Sequence, residues 1–457
     1  MNALIVAAIL GVVMMFAGII TKQKSSIRLL AIAGLIVILF ANVLDSYGFH
    51  FFSIPLSGML HFDKLSYFFT SIVLACTLIF FLLSAKDLEK VGFHYSEYFA
   101  LIFFILCGII LVSAFGSLLI LFLGIEIISI PLYILTGSDK KNLRSNEASL
   151  KYFLLGAFST GLMLMGITMF YGSTGSFSIL NSINVGAEPT AMLIVSILLL
   201  VFSMSFKVSA APFHFWTPDV YDGAPTVITS FMATIAKAAA FIAFIRLFYL
   251  GFGNIQTSWQ WVIAVITAIT LIIGNLTAVF QQSVKRMLAY SSIAQVGFMM
   301  MAILSLNTFS IEGILLYTAA YSIATLGIFS VLAKMKDYSF EAFNGFAKHQ
   351  PIVAFSMTVF LLSLAGIPLT AGFLSKFYML KSVMLTEKFL WLIILAVLMA
   401  AVSIYYYFRL IQVMYFKEGG EPAIEISSSF KWLLAVLAAL VILLGIYPQL
   451  LFNWFYF

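Results

Sequence analysis

A chain of 457 residues that is 63% hydrophobic and only 9% charged, with a mean hydropathy of +1.11, is excluded from the water-soluble globular class. Its formal net charge of +6 is modest and spread over short connections, which speaks for membrane orientation and against nucleic-acid binding. The 47 phenylalanines suit lipid-facing helices, and the two cysteines, Cys76 and Cys107, lie in apolar runs as small hydrophobes, not as a disulfide, a metal site or cluster ligands.

Apolar stretches of roughly 20 residues, each able to span a bilayer as a helix, recur along the chain about fourteen times. They centre near residues 11, 37, 76, 105, 126, 161, 201, 237, 269, 298, 322, 367, 402 and 442. The first, MNALIVAAIL, has no basic region ahead of it and no small-residue cleavage site, so it reads as a membrane helix and not as a removable signal. Connections are short, so residues 1–457 form a single transmembrane domain in this reading. Lys and Arg concentrate in the odd-numbered connections, as in Lys22, Lys24 and Arg28, then Lys140, Lys141 and Arg144, then Lys285 and Arg286. The positive-inside rule puts these loops in the cytoplasm and both termini on the other side.

Ionisable residues inside such spans are costly and normally face a bundle interior or a wet cavity. In the fifth span Glu126 lies deep in SLLILFLGIEIISIPLYIL, too far for a short carboxylate to snorkel out. Pro131 removes a backbone donor nearby and can admit water. The seventh span reads SFKVSAAPFHFWTPDVYDGAP, with Pro212, Pro218 and Pro225 interrupting it. Lys207 stands before this break and His214 inside it, a candidate relay whose alternative is bonding to freed carbonyls. Asp219 and Asp222 read as caps of the following helix or as residues at the water interface, and holding Lys207 in place is the plain alternative for that lysine.

In the eighth span Lys237 lies roughly 20 Å of helix rise from either end. Alanines 233, 236, 238, 239 and 240 surround it and let helices or water approach. A lysine balanced between desolvation and a nearby carboxylate can change protonation state, whereas a permanent ion pair is the structural alternative. The twelfth span, LLSLAGIPLTAGFLSKFYML, carries Gly366, Pro368 and Gly372 inside the apolar run, with Lys376 just beyond. Unwound backbone is expected at both breaks, and survives at membrane depth only beside protein or a water-filled cavity. The two broken spans lie five apart and cross in opposite directions. That is the pattern of two inverted five-helix repeats, here about 97–250 and 259–416 with flanking helices. The fold class is therefore an all-α polytopic bundle. No phosphate-binding glycine loop, cysteine cluster or histidine pair at metal spacing occurs, so any uphill transport draws on an ion gradient or a partner.

Several stretches together resemble the antiporter-like membrane subunits of NADH-quinone oxidoreductase, respiratory complex I, and subunit N in particular. They are GIEIISIPLYILTG (124–137), RSNEASLKYFLLGAFSTG (144–161), SFKVSAAPFHFWTPDVYDGAPTVITSFMATIAKAAA (205–240), KRMLAYSSIAQVGFM (285–299) and SLAGIPLTAGFLSKFYML (363–380). The resemblance covers nearly the whole chain. It implies proton transfer through Glu126 paired with Lys207, then Lys237, then Lys376 as the exit group, driven by quinone reduction elsewhere in the complex. It also implies a sister antiporter-like subunit and a small subunit as neighbours, and a bacterial inner membrane. Quinone, iron–sulfur clusters and flavin would sit on partner subunits, with no cofactor bound by this chain. Relatives often carry a histidine where this chain has Gln295, which can order water but not take up a proton near neutral pH. Gln295 is thus a candidate lining residue only. A subunit of a multi-subunit sodium/proton antiporter shares the same buried charges, and a purely structural membrane subunit is the third alternative.

Overall fold

The computed structural model describes residues 1–52, 58–92, 94–179, 189–419 and 426–456. Among them, thirteen helices are long and apolar enough to cross a membrane, and two shorter helices in series supply one crossing more. The chain begins with α1 (Asn2–Ile20), α2 (Lys24–Ser46), α3 (Lys64–Leu88), α4 (Tyr95–Ala114), α5 (Leu118–Thr136), α6 (Leu143–Thr174) and α7 (Ala191–Val208). A short α8 (Trp216–Gly223) precedes the eighth span, which contains α9 (Thr226–Phe231) and α10 (Lys237–Arg246). Then come α11 (Gln260–Val279), α12 (Val284–Ser305), α13 (Thr308–Leu332), a four-residue α14 (Phe346–His349), α15 (Pro351–Ala365) and α16 (Ala371–Met384). The last three are α17 (Leu390–Phe416), α18 (Ser428–Ile446) and α19 (Gln449–Tyr456).

Local sequence explains where these helices start. Asp63 and Ser66 form a reciprocal capping box on α3, and Asn307 with Ser310 does the same on α13. The Ser117 and Ser427 hydroxyls cap α5 and α18. Pro351 opens α15 at a position whose N–H has no helical partner to lose.

Both expected breaks are present. Helix α7 ends at Val208 and α8 begins at Trp216; α15 ends at Ala365 and α16 begins at Ala371. Not every proline causes one, however. Pro218 lies in the first turn of α8 and Pro225 just ahead of α9, where a missing donor costs nothing, so Pro212 alone sits in the unwound stretch. Gly372 likewise does not unwind its helix. A Cβ there would collide with the Ser363 carbonyl oxygen, so glycine is required for close packing. The eighth span holds a feature that propensity did not signal. Met232–Ala236 and Leu247–Gly251 are π turns, which bracket α10 on either side.

The chain divides into two compact units. The first comprises Met1–Val208, Gly223–Ile228 and Ile235–Ile263, and the second Ser209–Asp222, Thr229–Thr234 and Ala264–Phe457. In the first, α1 packs on α2 and α4, α4 on α5, α6 on α7, and α10 on α4 and α7. Every residue of α10 is buried. In the second, α13 packs on α15 and α16, α12 on α16, and α15 on α18. By contrast, α1, α6 and α17 leave apolar side chains such as Ile19, Phe158 and Leu398 exposed. In water such faces would be a liability, but in lipid they match the solvent.

One buried cation went unread in the sequence. Arg246, at the end of α10, is 1% exposed and donates to the Asp63 carboxylate at 2.6 Å, to the Phe115 carbonyl at 3.0 Å and to the His61 carbonyl at 2.7 Å. The clamp fixes α10 to the segments leading into α3 and α5. An arginine inside FIAFIRLFYLG was the available signal, and its guanidinium fork suits this three-way contact.

Candidate functional site

In the first unit Glu126, Lys207 and two hydroxyls come together. Helix α5 presents Glu126 and Ser129, α6 presents Thr160, and Lys207 lies in the last turn of α7. The Lys207 ammonium donates to Ser129 Oγ at 3.1 Å and to Thr160 Oγ1 at 3.4 Å. Thr160 in turn donates to Glu126 Oε1 at 2.8 Å. The acid and the base thus meet through a hydroxyl, and no direct ion pair joins them among the described residues. The Thr160 hydroxyl has an alternative acceptor, the Gly156 carbonyl at 3.1 Å. Its single hydrogen can therefore point either at the carboxylate or back into its own helix. Pro131 lies inside α5 without ending it, and leaves the Ile127 carbonyl without its usual donor.

Lys237 is the first residue of α10 and follows directly on the Met232–Ala236 π turn. It is 4% exposed, and Ala238, Ala239 and Ala240 beside it are buried as well. Such single wide turns recur at functional sites, because they shift side-chain direction and disturb the backbone ladder.

In the second unit Lys376 occupies the break of the twelfth span. Its ammonium donates to the Leu364 carbonyl at 2.8 Å and the Ala365 carbonyl at 3.0 Å, the last carbonyls of α15. It also sits 4.7 Å from the centre of the Phe298 ring. A helix C-terminus is the favourable place for a cation, since its orphan carbonyls carry partial negative charge. Gly366 makes room for it. That residue adopts φ +84°, and a Cβ would lie 2.9 Å from Lys376 Cδ. Gln295, from α12, donates to the same Leu364 carbonyl at 2.8 Å and to the Tyr407 hydroxyl at 3.0 Å, while Tyr317 donates to its amide oxygen. Gln295, Tyr317, Ala320, Tyr321, Leu364 and Lys376 are among the residues that line a small cavity with a mostly apolar wall, with room on the order of one water molecule.

His214 is 6% exposed, stacks on Phe215 at 4.7 Å, and its Nδ1 has no hydrogen-bond partner among the described residues. Ser209 Oγ and Thr217 Oγ1, on either side of it in the chain, are buried and unpartnered in the same way. Asp219 pairs with Arg286 at 3.0 Å and Asp222 lies 4.0 Å from the same guanidinium, both partly exposed. Lys285, read from the sequence as a loop charge, is 2% exposed and donates to the Asp222 carbonyl at 3.0 Å.

Lysines beside broken helices, one of them tied to a carboxylate through a hydroxyl, thus stand within a polytopic helical membrane bundle. Residues 116–403 match the family described as NADH:quinone oxidoreductase/Mrp antiporter, TM. The chain is 39% identical over 462 residues to NADH-quinone oxidoreductase subunit N of Cytophaga hutchinsonii, covering 99% of each chain. A chain of respiratory complex I from Thermus thermophilus superposes with a TM-score of 0.84 at 29% identity, over 99% of this chain and 98% of that one. A chain of the Mrp complex from Dietzia sp. DQ12-45-1b shares the fold, with a TM-score of 0.86 at 17% identity over 99% of this chain and 96% of that one. The chain belongs to the NADH:quinone oxidoreductase/Mrp antiporter membrane family, and within it to subunit N of NADH-quinone oxidoreductase. It is an integral, multi-pass membrane component of an oxidoreductase complex.

Proposed function

We propose that this chain translocates protons as a subunit of NADH-quinone oxidoreductase, coupled to quinone reduction on other subunits. The observation that carries the reading is the Lys207–Thr160–Glu126 chain of hydrogen bonds beside the seventh-span break. A carboxylate one hydroxyl away from an ammonium changes the cost of charging it, and small movements of the break alter that distance. Lys237 would pass the proton on and Lys376 release it, with His214 a candidate relay near the seventh-span break. The two halves, about 97–250 and 259–416, act as inverted repeats in this scheme. The chain would lie in a bacterial inner membrane with both termini outside the cytoplasm, against a sister antiporter-like subunit and a small subunit. Flavin, iron–sulfur clusters and quinone would be held by partners, with no redox centre on this chain.

The fold shared with an Mrp complex favours one rival, a subunit of a sodium/proton antiporter. A mild-detergent pull-down through a tag on this chain separates the two. Iron–sulfur subunits with electron-donor-dependent quinone reduction support the oxidoreductase reading; membrane subunits alone, with sodium/proton exchange after reconstitution, support the rival. Lys237→Met then tests transport against a structural role. Normal assembly with lost pumping is expected, and lost assembly without a pumping defect of its own would sink it.

A further inference from the structure

Leu364 offers one carbonyl oxygen to two donors, the Lys376 ammonium and the Gln295 amide, each at 2.8 Å. A carbonyl has two lone pairs, so both bonds form, yet each donor weakens the oxygen's hold on the other. The orientation of the Gln295 amide is fixed by its surroundings. The Leu364 carbonyl only accepts, so the amide nitrogen must face it. The second amide N–H then goes to the Tyr407 hydroxyl, and the amide oxygen accepts from Tyr317. Tyr407 is held from its far side by Ser291, also on α12. Gln295, Tyr317 and Tyr407 are all buried, so rotating the amide would break three bonds in a place where few replacements exist.

The ammonium has three N–H bonds, and two are committed to Leu364 and Ala365. The remaining one is the bond free to break. Its proton passes to the one water that the cavity has room for, which becomes hydronium, and its electron pair stays on Nζ. The neutral amine keeps two N–H groups, the number the two carbonyls require, so the side chain need not move.

Resting on the proton-transfer reading above, we propose that Gln295 is a positioning residue. It shares the Leu364 carbonyl with Lys376, and thereby sets how firmly the ammonium is held against release into the cavity that both residues line. Gln295 takes no proton itself.

The test uses the assembled complex in membrane vesicles, with protons moved per quinone reduced recorded across a pH series. Gln295→Met removes the competing donor at similar length, and should move the midpoint of the pH dependence to higher pH by about 0.3 unit, because the Leu364 carbonyl then holds the ammonium harder while both of its bonds remain. Tyr407→Phe leaves the donor in place but loosens its anchor, and should move the midpoint the same way by less. Lys376→Met should abolish pumping. Profiles for Gln295→Met and Tyr407→Phe that coincide with the unsubstituted protein, while Lys376→Met is inactive, overturn the positioning role and leave the proton-transfer reading intact. Undiminished pumping in Lys376→Met overturns both. If Gln295→Met fails to assemble, the Tyr407→Phe profile decides alone.

Discussion

Lys207 and Lys376 both sit beside a broken helix, but they keep different company. Lys207 is half-buried at the last turn of α7 and bonded to side-chain hydroxyls, with Glu126 one step further on. Lys376 is 6% exposed, bonded to backbone carbonyls, and backed by an amide and tyrosines. In the first site the stabilising charge belongs to a side chain that can move or change its own protonation. In the second it belongs to a helix terminus whose position is set by the fold. One arrangement is adjustable and the other fixed. An ammonium whose counter-charge is adjustable suits a step driven by conformational change, and one held by fixed dipoles suits a step driven by arrival of a proton.

The comparison can be broken outright by taking the acid away. Glu126→Gln makes the first site resemble the second in lacking a full negative charge, and should cut protons moved per quinone reduced by about tenfold or more. Undiminished pumping in that variant would mean the acid is not what distinguishes the sites. Thr160→Val keeps the shape but removes the bridging hydroxyl. A hydrogen bond to a charged group contributes about 1.5–3 kcal/mol, so a several-fold loss of pumping with normal assembly is expected. Equal pumping would show that Glu126 and Lys207 communicate by another route.

In the second site the fixed element is the break itself. Gly366→Ala places a side chain in a left-handed conformation at a cost of about 1–2 kcal/mol and pushes on Lys376. The expected results are a lower unfolding temperature of the complex and weakened pumping; no change in either would show that the break yields. The smallest effect is expected in the loop after α13. There the Ser339 hydroxyl donates to Asp337 at 2.6 Å and its backbone N–H at 3.0 Å, which hold that carboxyl below the usual carboxylate range. Because the folded value is depressed, this contribution is complete above the ordinary value of about 3.9 and disappears as pH falls through the lower one. Ser339→Ala should raise the onset of acid-induced loosening of the loop, followed by hydrogen exchange at 337–342, and leave pumping untouched.

Much of this was legible in the chain because the bilayer is a strict solvent. Long apolar runs must become helices there, and a carboxylate or ammonium within one must find partners, so the spans and the residues Glu126, Lys207, Lys237 and Lys376 stood out. What could not be read is whatever depends on which helix faces which. Thr160 is one hydroxyl among many until α6 is seen against α5 and α7. Lys285 looks like a loop charge until Asp222 and Tyr338 are seen around it, with Tyr338 5.1 Å from its ammonium. The Leu364 carbonyl has no side-chain signature at all. Nor do π turns, which depend on how neighbouring helices press on a segment and not on its residue types.

Those two wide turns give α10 an unusual mechanical character. The segment from Lys237 to Arg246 is a short rod with a loosened joint at each end, pinned at its Arg246 end to Asp63, Phe115 and His61. Arg246 anchors the far end of the segment that Lys237 opens, so the clamp and the deepest lysine of the first unit share one stretch of regular helix between two wide turns.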